Sequence, residues 1–237
     1  MWDPVQIALE TLPIVSKEGQ RKYYRFRPTG FYGGIATADC VGCNLRCIFC
    51  WSWQNIINPE AGGYFHTPAQ VAGNLIRIAR QKGFQKVRIS GSEPTIDREH
   101  LLAILSQIPL DIQFVLETNG ILIGNDETYA QELAKFENLR VRVSFKGASP
   151  EEFSRLTQAD PQAFFFQVKA VENLFRAKVR VSPALMSSFS TVESIKNLQQ
   201  LLGEIHPGFR SIEMEQLVLY GEVQDRLKKS GISPISD

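Results

Sequence analysis

The chain has 237 residues, and its 26 Lys and Arg against 25 Asp and Glu leave a net charge of +1. This balance favours neither a nucleic acid nor a membrane surface as a partner, and a hydrophobic content of 43% is sufficient for a folded core. No apolar run approaches the roughly 20 residues of a membrane-spanning helix. The first residues also lack the basic and apolar segments of a secretory signal. We therefore expect a globular cytoplasmic protein without membrane contact.

From residue 33 onward, the chain alternates short strand-like runs with amphipathic stretches. The predicted strands are 33–38, 86–90, 111–117, 140–145, 178–185 and 211–220. The predicted helices are 67–82, 97–108, 127–137, 161–176 and 192–204. Strict alternation predicts a parallel sheet with right-handed crossovers, and six units are too few for a closed eight-stranded barrel. We predict an α/β fold, an open partial (β/α)6 barrel over residues 31–237, with an N-terminal cap or extension over residues 1–30.

All four cysteines lie between positions 40 and 50. Cys40, Cys43, Cys47 and Cys50 are separated by two, three and two residues. A zinc ribbon needs roughly 15–20 residues between its CxxC pairs, and a thioredoxin-like CxxC does not explain two such pairs placed so close together. Thiolates this close in sequence suit the several irons of an iron–sulfur cluster, which prefer soft ligands. The spacing therefore predicts an iron–sulfur site, with zinc as the alternative.

The segment from Cys43 through Cys47 to Cys50, with Phe49 before the last cysteine, resembles the signature of the radical S-adenosylmethionine (radical SAM) superfamily. The resemblance implies that these three cysteines hold a [4Fe–4S] cluster whose fourth iron binds S-adenosylmethionine, and that Phe49 contacts this cofactor. Cys40 departs from the signature. It is either the fourth ligand of a ferredoxin-like electron carrier or a buried free thiol, and we predict the free thiol.

Three later strand ends also resemble motifs of this superfamily. The turn 91–94 is similar to its Gly-Gly-Glu-Pro motif, although Ser92 replaces the second glycine. Segment 117–120 resembles its ETNG or DTNG segment, and segment 144–146 resembles the Ser-Pro-Lys or Asp-Leu-Lys of deazaguanine-forming and activating enzymes. The residues that the resemblance assigns to cofactor binding are Gly91, Ser92, Glu93, Pro94, Glu117, Thr118, Asn119, Ser144 and Lys146. Weaker candidates on the last two strands are Arg180, Ser182 and Gln216. The alternative interpretation is that these segments are ordinary strand-to-helix turns with a solvated lysine.

The resemblance implies a reaction in which the reduced cluster cleaves S-adenosylmethionine to a 5′-deoxyadenosyl radical, which abstracts hydrogen from a substrate. Such chemistry needs no acid–base dyad, and His66, His100 and His206 are scattered along the chain. We therefore assign no catalytic side chain. Trp51 and Trp53 either shield the cluster, line the substrate side or pack in the core.

We predict a radical SAM enzyme of the small activating-enzyme or deazaguanine-synthase kind. Its implied partners are a flavodoxin- or ferredoxin-type electron donor and a substrate that is a small molecule, a nucleotide or a protein. One alternative is a non-catalytic iron–sulfur carrier that uses all four cysteines. Another is an RNA-modifying member that uses the basic and aromatic stretch 21–27, although such alternation also predicts a half-buried edge strand.

Overall fold

Nine strands form one sheet in the computed structural model, which describes residues 1–235. The strands are β1 (Ser16–Lys17), β2 (Gln20–Thr29), β3 (Ile35–Cys40), β4 (Tyr64–His66), β5 (Lys86–Ser90), β6 (Gln113–Thr118), β7 (Leu139–Phe145), β8 (Arg180–Met186) and β9 (Glu213–Glu215). Strands β3, β5, β6, β7, β8 and β9 are parallel and neighbour each other in this order. β9 has no further strand at its outer edge among residues 1–235, so the sheet is open. The predicted open barrel of six parallel strands is therefore confirmed.

Helices connect the parallel strands as crossovers. The helices of the described chain are α1 (Pro4–Val15), α2 (Trp53–Ile57), α3 (Pro68–Lys82), α4 (Arg98–Leu105), α5 (Ile121–Asn125), α6 (Glu127–Leu133), α7 (Pro150–Thr157), α8 (Phe164–Arg176), α9 (Val192–Ile205) and α10 (Gly221–Ser230). α3 shows how local sequence sets such bounds. Thr67 and Gln70 form a capping box at its start, and Gly83 ends it in a left-handed conformation. None of the helices within residues 1–235 combines the length and the apolar character that a membrane crossing requires.

The core lies between the helices and one face of the sheet. Val87 and Ile89 of β5 are buried there together with Phe114 and Leu116 of β6. Side chains alternate along a strand, so the residues between them face the other side of the sheet. We call that side the polar face, and its residues include Thr37, Asp39, Arg88, Glu117 and Arg142.

The N-terminal segment adds strands to the antiparallel side of the sheet. β2 pairs antiparallel with β3, and β4 adds to its other side, so residues 20–29 extend the same sheet. Two shorter differences occur near the C-terminus. The predicted strand 211–220 is a strand only over Glu213–Glu215, because β8 is its single partner, and α10 follows where no helix was predicted.

Candidate functional site

The cysteine loop leaves β3 and runs to α2 at the carboxyl end of the parallel strands. Cys47 is buried, whereas Cys43 and Cys50 are partly exposed, and all are free thiols. Two arginines bind the carbonyl groups of this loop. Arg46 donates to Cys43 O over 2.6 Å, and Arg226 of α10 donates to the carbonyls of Cys50 and Ile48. The path of the loop is therefore fixed by Arg46, which belongs to the loop, and by Arg226 of α10.

Cys40 has different surroundings from the other cysteines. It is fully buried at the end of β3, where a guanidinium nitrogen of Arg21 lies 3.8 Å from its sulfur. Burial raises the pKa of its thiol to about 11, against the opposing effects of Arg21 and a hydrogen bond from the Ser92 backbone. The groups that influence Cys43 electrostatically include Cys47 and Cys50. Cys40 thus ends β3 beside an arginine, and Cys43, Cys47 and Cys50 lie in the loop that follows.

The carboxylate of Glu93 joins the ends of β5 and β6. Its Oε1 accepts hydrogen bonds from the Thr118 hydroxyl at 2.6 Å and from the backbone and hydroxyl of Thr95, and its Oε2 accepts from Asn119 N at 2.8 Å. The Nδ2 atom of Asn119 in turn lies 3.9 Å from the sulfur of Cys43. The motif residues of two strands are therefore continuous with the cysteine loop.

Gly91 permits this close packing. Its φ is 91°, and a Cβ atom there would lie 3.0 Å from the Tyr24 hydroxyl and 3.0 Å from Asp39 Cβ. A positive φ and the lack of space both select glycine. The backbone turn can for this reason lie against β2 and β3.

Gln167 of α8 links the ends of β6 and β7. Its side chain is fully buried, and its Nε2 donates to Asn119 O at 2.7 Å and to Ser144 O at 3.1 Å. Its Oε1 accepts from Lys146 N at 3.4 Å. Ser144 and Lys146 therefore lie in the same cluster as Glu93 and Thr118.

An acidic residue of β9 completes the cluster. Glu215 accepts from Ser144 at 3.1 Å and pairs with Arg142 at 2.9 Å, while Lys146 Nζ donates to Ser144 Oγ at 2.7 Å. Burial acts to raise the pKa of Glu215, but Lys146 and Arg142 hold it below its usual value. The Lys146 charge also opposes the rise that burial causes in the pKa of Cys47 and Cys50. Lys146 thus contacts Ser144, which is bonded to Glu215, and its charge acts on both Glu215 and the cysteine loop.

These residues fit a polar, sulfur-bound group. Asn44 Nδ2, next to Cys43, and Ser92 Oγ, in the turn after β5, are buried with no hydrogen-bond partner in the described chain. Buried polar groups ordinarily have a partner, so a ligand at this point would satisfy them. No three His, Cys, Asp or Glu side chains within residues 1–235 converge on one ion. The thiolates of an iron–sulfur cluster bind separate irons, so convergence on one point is not required.

Several predicted residues lie outside this cluster. Arg180 is the first residue of β8, so it lies at the amino edge of the sheet, where it donates to Glu137 O. The prediction had placed it at the carboxyl end of the strand. Gln216 follows β9 as an exposed residue, and its neighbour Glu215 takes part in the cluster instead. Phe49 stacks on Phe189 in the core at 5.5 Å between ring centroids. Ser182 lies opposite Arg142 in the middle of the strand pair.

Two other predicted residues form contacts next to this cluster. Pro94 is buried and its carbonyl accepts from Arg21 at 2.6 Å. Glu117 pairs with Arg88 at 2.9 Å and accepts from the Tyr32 hydroxyl at 2.7 Å. Both residues therefore brace the site from its periphery.

The basic stretch of β2 is committed to contacts within the chain. Arg21 and Lys22 are buried, and they donate to backbone carbonyls of the 93–94 turn and of residues 59–60. Arg25 and Arg27 both pair with Asp39. This stretch is therefore the half-buried strand that its alternation also predicts, and its basic side chains have partners within the chain.

Four residues that hold this site carry no signal in the sequence: Arg21, Gln167, Glu215 and Arg226. Arg21 belonged to a stretch with the composition of a basic patch, and the other three lie outside every motif. Their contacts join residues far apart in sequence, and no local pattern indicates them.

Comparison with known proteins identifies the family. Residues 39–202 match the family model described as the Radical SAM superfamily. A GTP 3′,8-cyclase of Syntrophomonas wolfei is 29% identical over 161 residues, which cover 65% of this chain and 46% of that protein. A probable GTP 3′,8-cyclase of Methanopyrus kandleri is 29% identical over 202 residues, or 79% of this chain and 62% of that protein. The chain thus spans about half the length of the curated relatives it matches.

A solved structure shows the same fold. SuiB of Streptococcus suis bound to S-adenosylmethionine superposes with a TM-score of 0.63 at 18% identity, covering 83% of this chain and 42% of SuiB. At this identity the likeness concerns the fold.

Proposed function

The chain belongs to the radical SAM superfamily, whose cofactors are a [4Fe–4S] cluster and S-adenosylmethionine, and on that premise we propose that it is a radical SAM enzyme with one cluster on Cys43, Cys47 and Cys50. When bound, the cluster and S-adenosylmethionine supply a one-electron cleavage that yields a 5′-deoxyadenosyl radical for hydrogen abstraction. A flavodoxin- or ferredoxin-type protein is the proposed source of the electron.

The residues of this chain bind and orient the cofactor. Lys146 offers an ammonium to a carboxylate, and Ser144 beside it offers a hydroxyl. Glu93 presents a carboxylate suited to an amino group, and the Asn119 side chain presents its Nδ2 donor close to Cys43. The protein's task is positioning and the exclusion of water, since the cofactor carries the difficult chemistry.

One observation carries the proposal. The hydrogen bonds from Glu93 through Thr118, Asn119 and Gln167 to Ser144 are continuous, and they begin beside the cysteine loop. A group of polar side chains from three successive strand ends, next to three cysteines, supports a cofactor that contacts both. Cys40 lies in β3 next to Arg21, which supports a cluster with three cysteine ligands rather than the four of an electron carrier.

Anaerobic reconstitution with iron and sulfide, followed by electron paramagnetic resonance of the reduced protein, tests this proposal. We expect S-adenosylmethionine to change the spectrum and dithionite-reduced protein to release 5′-deoxyadenosine. A cluster with four thiolate ligands has no vacant iron, so a spectrum that ignores the cofactor would contradict the proposal.

A further inference from the structure

The helix α10 is fixed in place by the core and by the residues on either side of it. Val223 and Leu227, one turn apart, are buried in the main core. The chain before and after the helix binds the same residue, since Leu217 N donates to Ser188 Oγ and Ile235 N donates to Ser188 O, each over 2.8 Å. The helix therefore has a defined position from which a side chain can reach the cysteine loop.

Arg226 extends from this helix to the cysteine loop. Its guanidinium donates to the carbonyls of Ile48 and Cys50, on the two sides of Phe49. The ring centroid of Trp53 lies 4.8 Å from the guanidinium carbon, and the Arg226 side chain is only 16% exposed. Arginine carries a planar fork of donors that can bond two acceptors at once. One side chain of α10 therefore holds the backbone that carries the last cysteine of the signature.

The positive charge of Arg226 is weakly neutralised. Its carboxylate partner, Glu222, lies 3.8 Å away with a side chain that is 70% exposed, so water screens this pair. The two loop carbonyls carry no net charge. Burial raises the pKa of the Cys50 thiol, whereas a backbone hydrogen bond and the charges of Lys146 and Arg226 lower it. The guanidinium charge is therefore directed at the cysteine loop.

We propose that Arg226 is a positioning residue for the cluster, which holds residues 48–50 in place and raises the reduction potential of the cluster through its charge. This inference rests on the proposed function, because it takes Cys50 as an iron ligand. Reduction adds a negative charge to the cluster, so a cation beside a ligand stabilises the reduced state more than the oxidised state. The helix α10 thus makes the cluster easier for the electron donor to reduce.

Redox titration of the cluster-loaded protein, followed by electron paramagnetic resonance, tests the effect of the charge. Arg226→Gln should lower the midpoint potential by about 59 mV, which corresponds to a tenfold change in a one-electron equilibrium. Arg226→Lys keeps the charge, so its potential should stay close to that of wild type. Lys228→Gln is the matched control, because Lys228 is an exposed cation on the same helix whose position does not face that of Arg226. An unchanged potential in Arg226→Gln, or an equal fall in either other variant, would overturn the proposal.

Hydrogen exchange of the full chain before reconstitution tests the positioning of the loop without the cluster. The amides of Ile48 and Cys50 both donate to backbone carbonyls, so they are protected from exchange. A lysine lacks the planar fork that binds two carbonyls. A peptide spanning 43–50 should therefore exchange about tenfold faster in Arg226→Gln and Arg226→Lys than in Lys228→Gln. Exchange at the wild-type rate in both Arg226 variants would overturn the positioning role, even where a variant takes up no cluster.

The same samples separate this inference from the proposed function. A cluster spectrum that ignores S-adenosylmethionine, together with a potential that depends on Arg226, contradicts the proposed function alone. A spectrum that responds to S-adenosylmethionine, with a potential and a loop exchange that do not depend on Arg226, contradicts only the role of Arg226.

Discussion

The Thr118 hydroxyl donates to Oε1 of Glu93 over 2.6 Å, and this bond helps to connect the carboxyl ends of β5 and β6. Both side chains are almost fully buried. Since Asn119 N and two groups of Thr95 also donate to the same carboxylate, its position is set before any ligand arrives. A site held in this way loses little conformational freedom on binding.

Glu93→Gln should destabilise the fold. All four groups around the carboxylate are donors, so an amide nitrogen in this place leaves at least one of them without an acceptor. We expect a loss of about 1–3 kcal/mol in the free energy of unfolding, measured by urea denaturation. Thr118→Ser keeps the hydroxyl, so a loss as large as that of Glu93→Gln would contradict this explanation.

The three cysteines of the signature should be needed for the cluster, and Cys40 should not. Cys43→Ala, Cys47→Ala and Cys50→Ala each remove a proposed iron ligand, whereas Cys40 lies in β3 beside Arg21. Iron content and visible absorbance after anaerobic reconstitution measure the difference. Loss of the cluster in Cys40→Ala would favour the four-cysteine carrier.

Lys146→Ala should weaken the binding of S-adenosylmethionine more than Ser144→Ala. A charge-assisted bond contributes about 1.5–3 kcal/mol and a neutral one about 1 kcal/mol. These values correspond to about a ten- to hundredfold rise in Kd for Lys146→Ala and about a fivefold rise for Ser144→Ala. Titration followed by electron paramagnetic resonance gives both values. An unchanged Kd in Lys146→Ala would remove this lysine from the site.

Gln167→Leu should impair cofactor binding through the residues that Gln167 holds. Its amide fixes Asn119, Ser144 and Lys146 relative to one another. Asn173 on the same helix is also buried, but it binds Ile123 O, away from the cluster. We expect both Gln167→Leu and Asn173→Leu to lower stability by about 1–3 kcal/mol. Only Gln167→Leu should raise the Kd for S-adenosylmethionine, and an equal rise in both variants would show a merely structural role.

Stability should fall as the solution becomes mildly acidic. Burial lowers the pKa of His100 from its ordinary value of 6.5. His100 therefore binds a proton near pH 6.5 in the unfolded chain, whereas in the folded protein it binds one only at lower pH. The free energy of unfolding consequently decreases as pH falls below about 6.5. Thermal unfolding between about pH 7.5 and 5.5 measures this decrease. His100→Gln should flatten the dependence, and an equally steep one would assign it to other groups.

The sequence by itself determined the order of the six parallel strands, the main helices that connect them and the place of the cysteine loop. Strand runs such as 86–90 and helix limits such as Thr67 and Lys82 depend on side-chain periodicity and capping, which act between residues a few positions apart. Because parallel strands carry functional loops at their carboxyl ends, the proximity of Glu93, Thr118 and Ser144 also followed from their positions in the chain.

Only the tertiary structure decided which distant residues complete the site. Glu215 reaches Ser144 from 71 positions away in sequence, and Arg226 reaches Cys50 from 176 positions away. The register of β7 and β8 likewise placed Arg140 opposite Arg180 and set Arg180 at the amino edge, away from the predicted cofactor site. Pairing between strands and packing of a helix on a loop depend on contacts across the fold, and such contacts leave no periodic pattern in the chain.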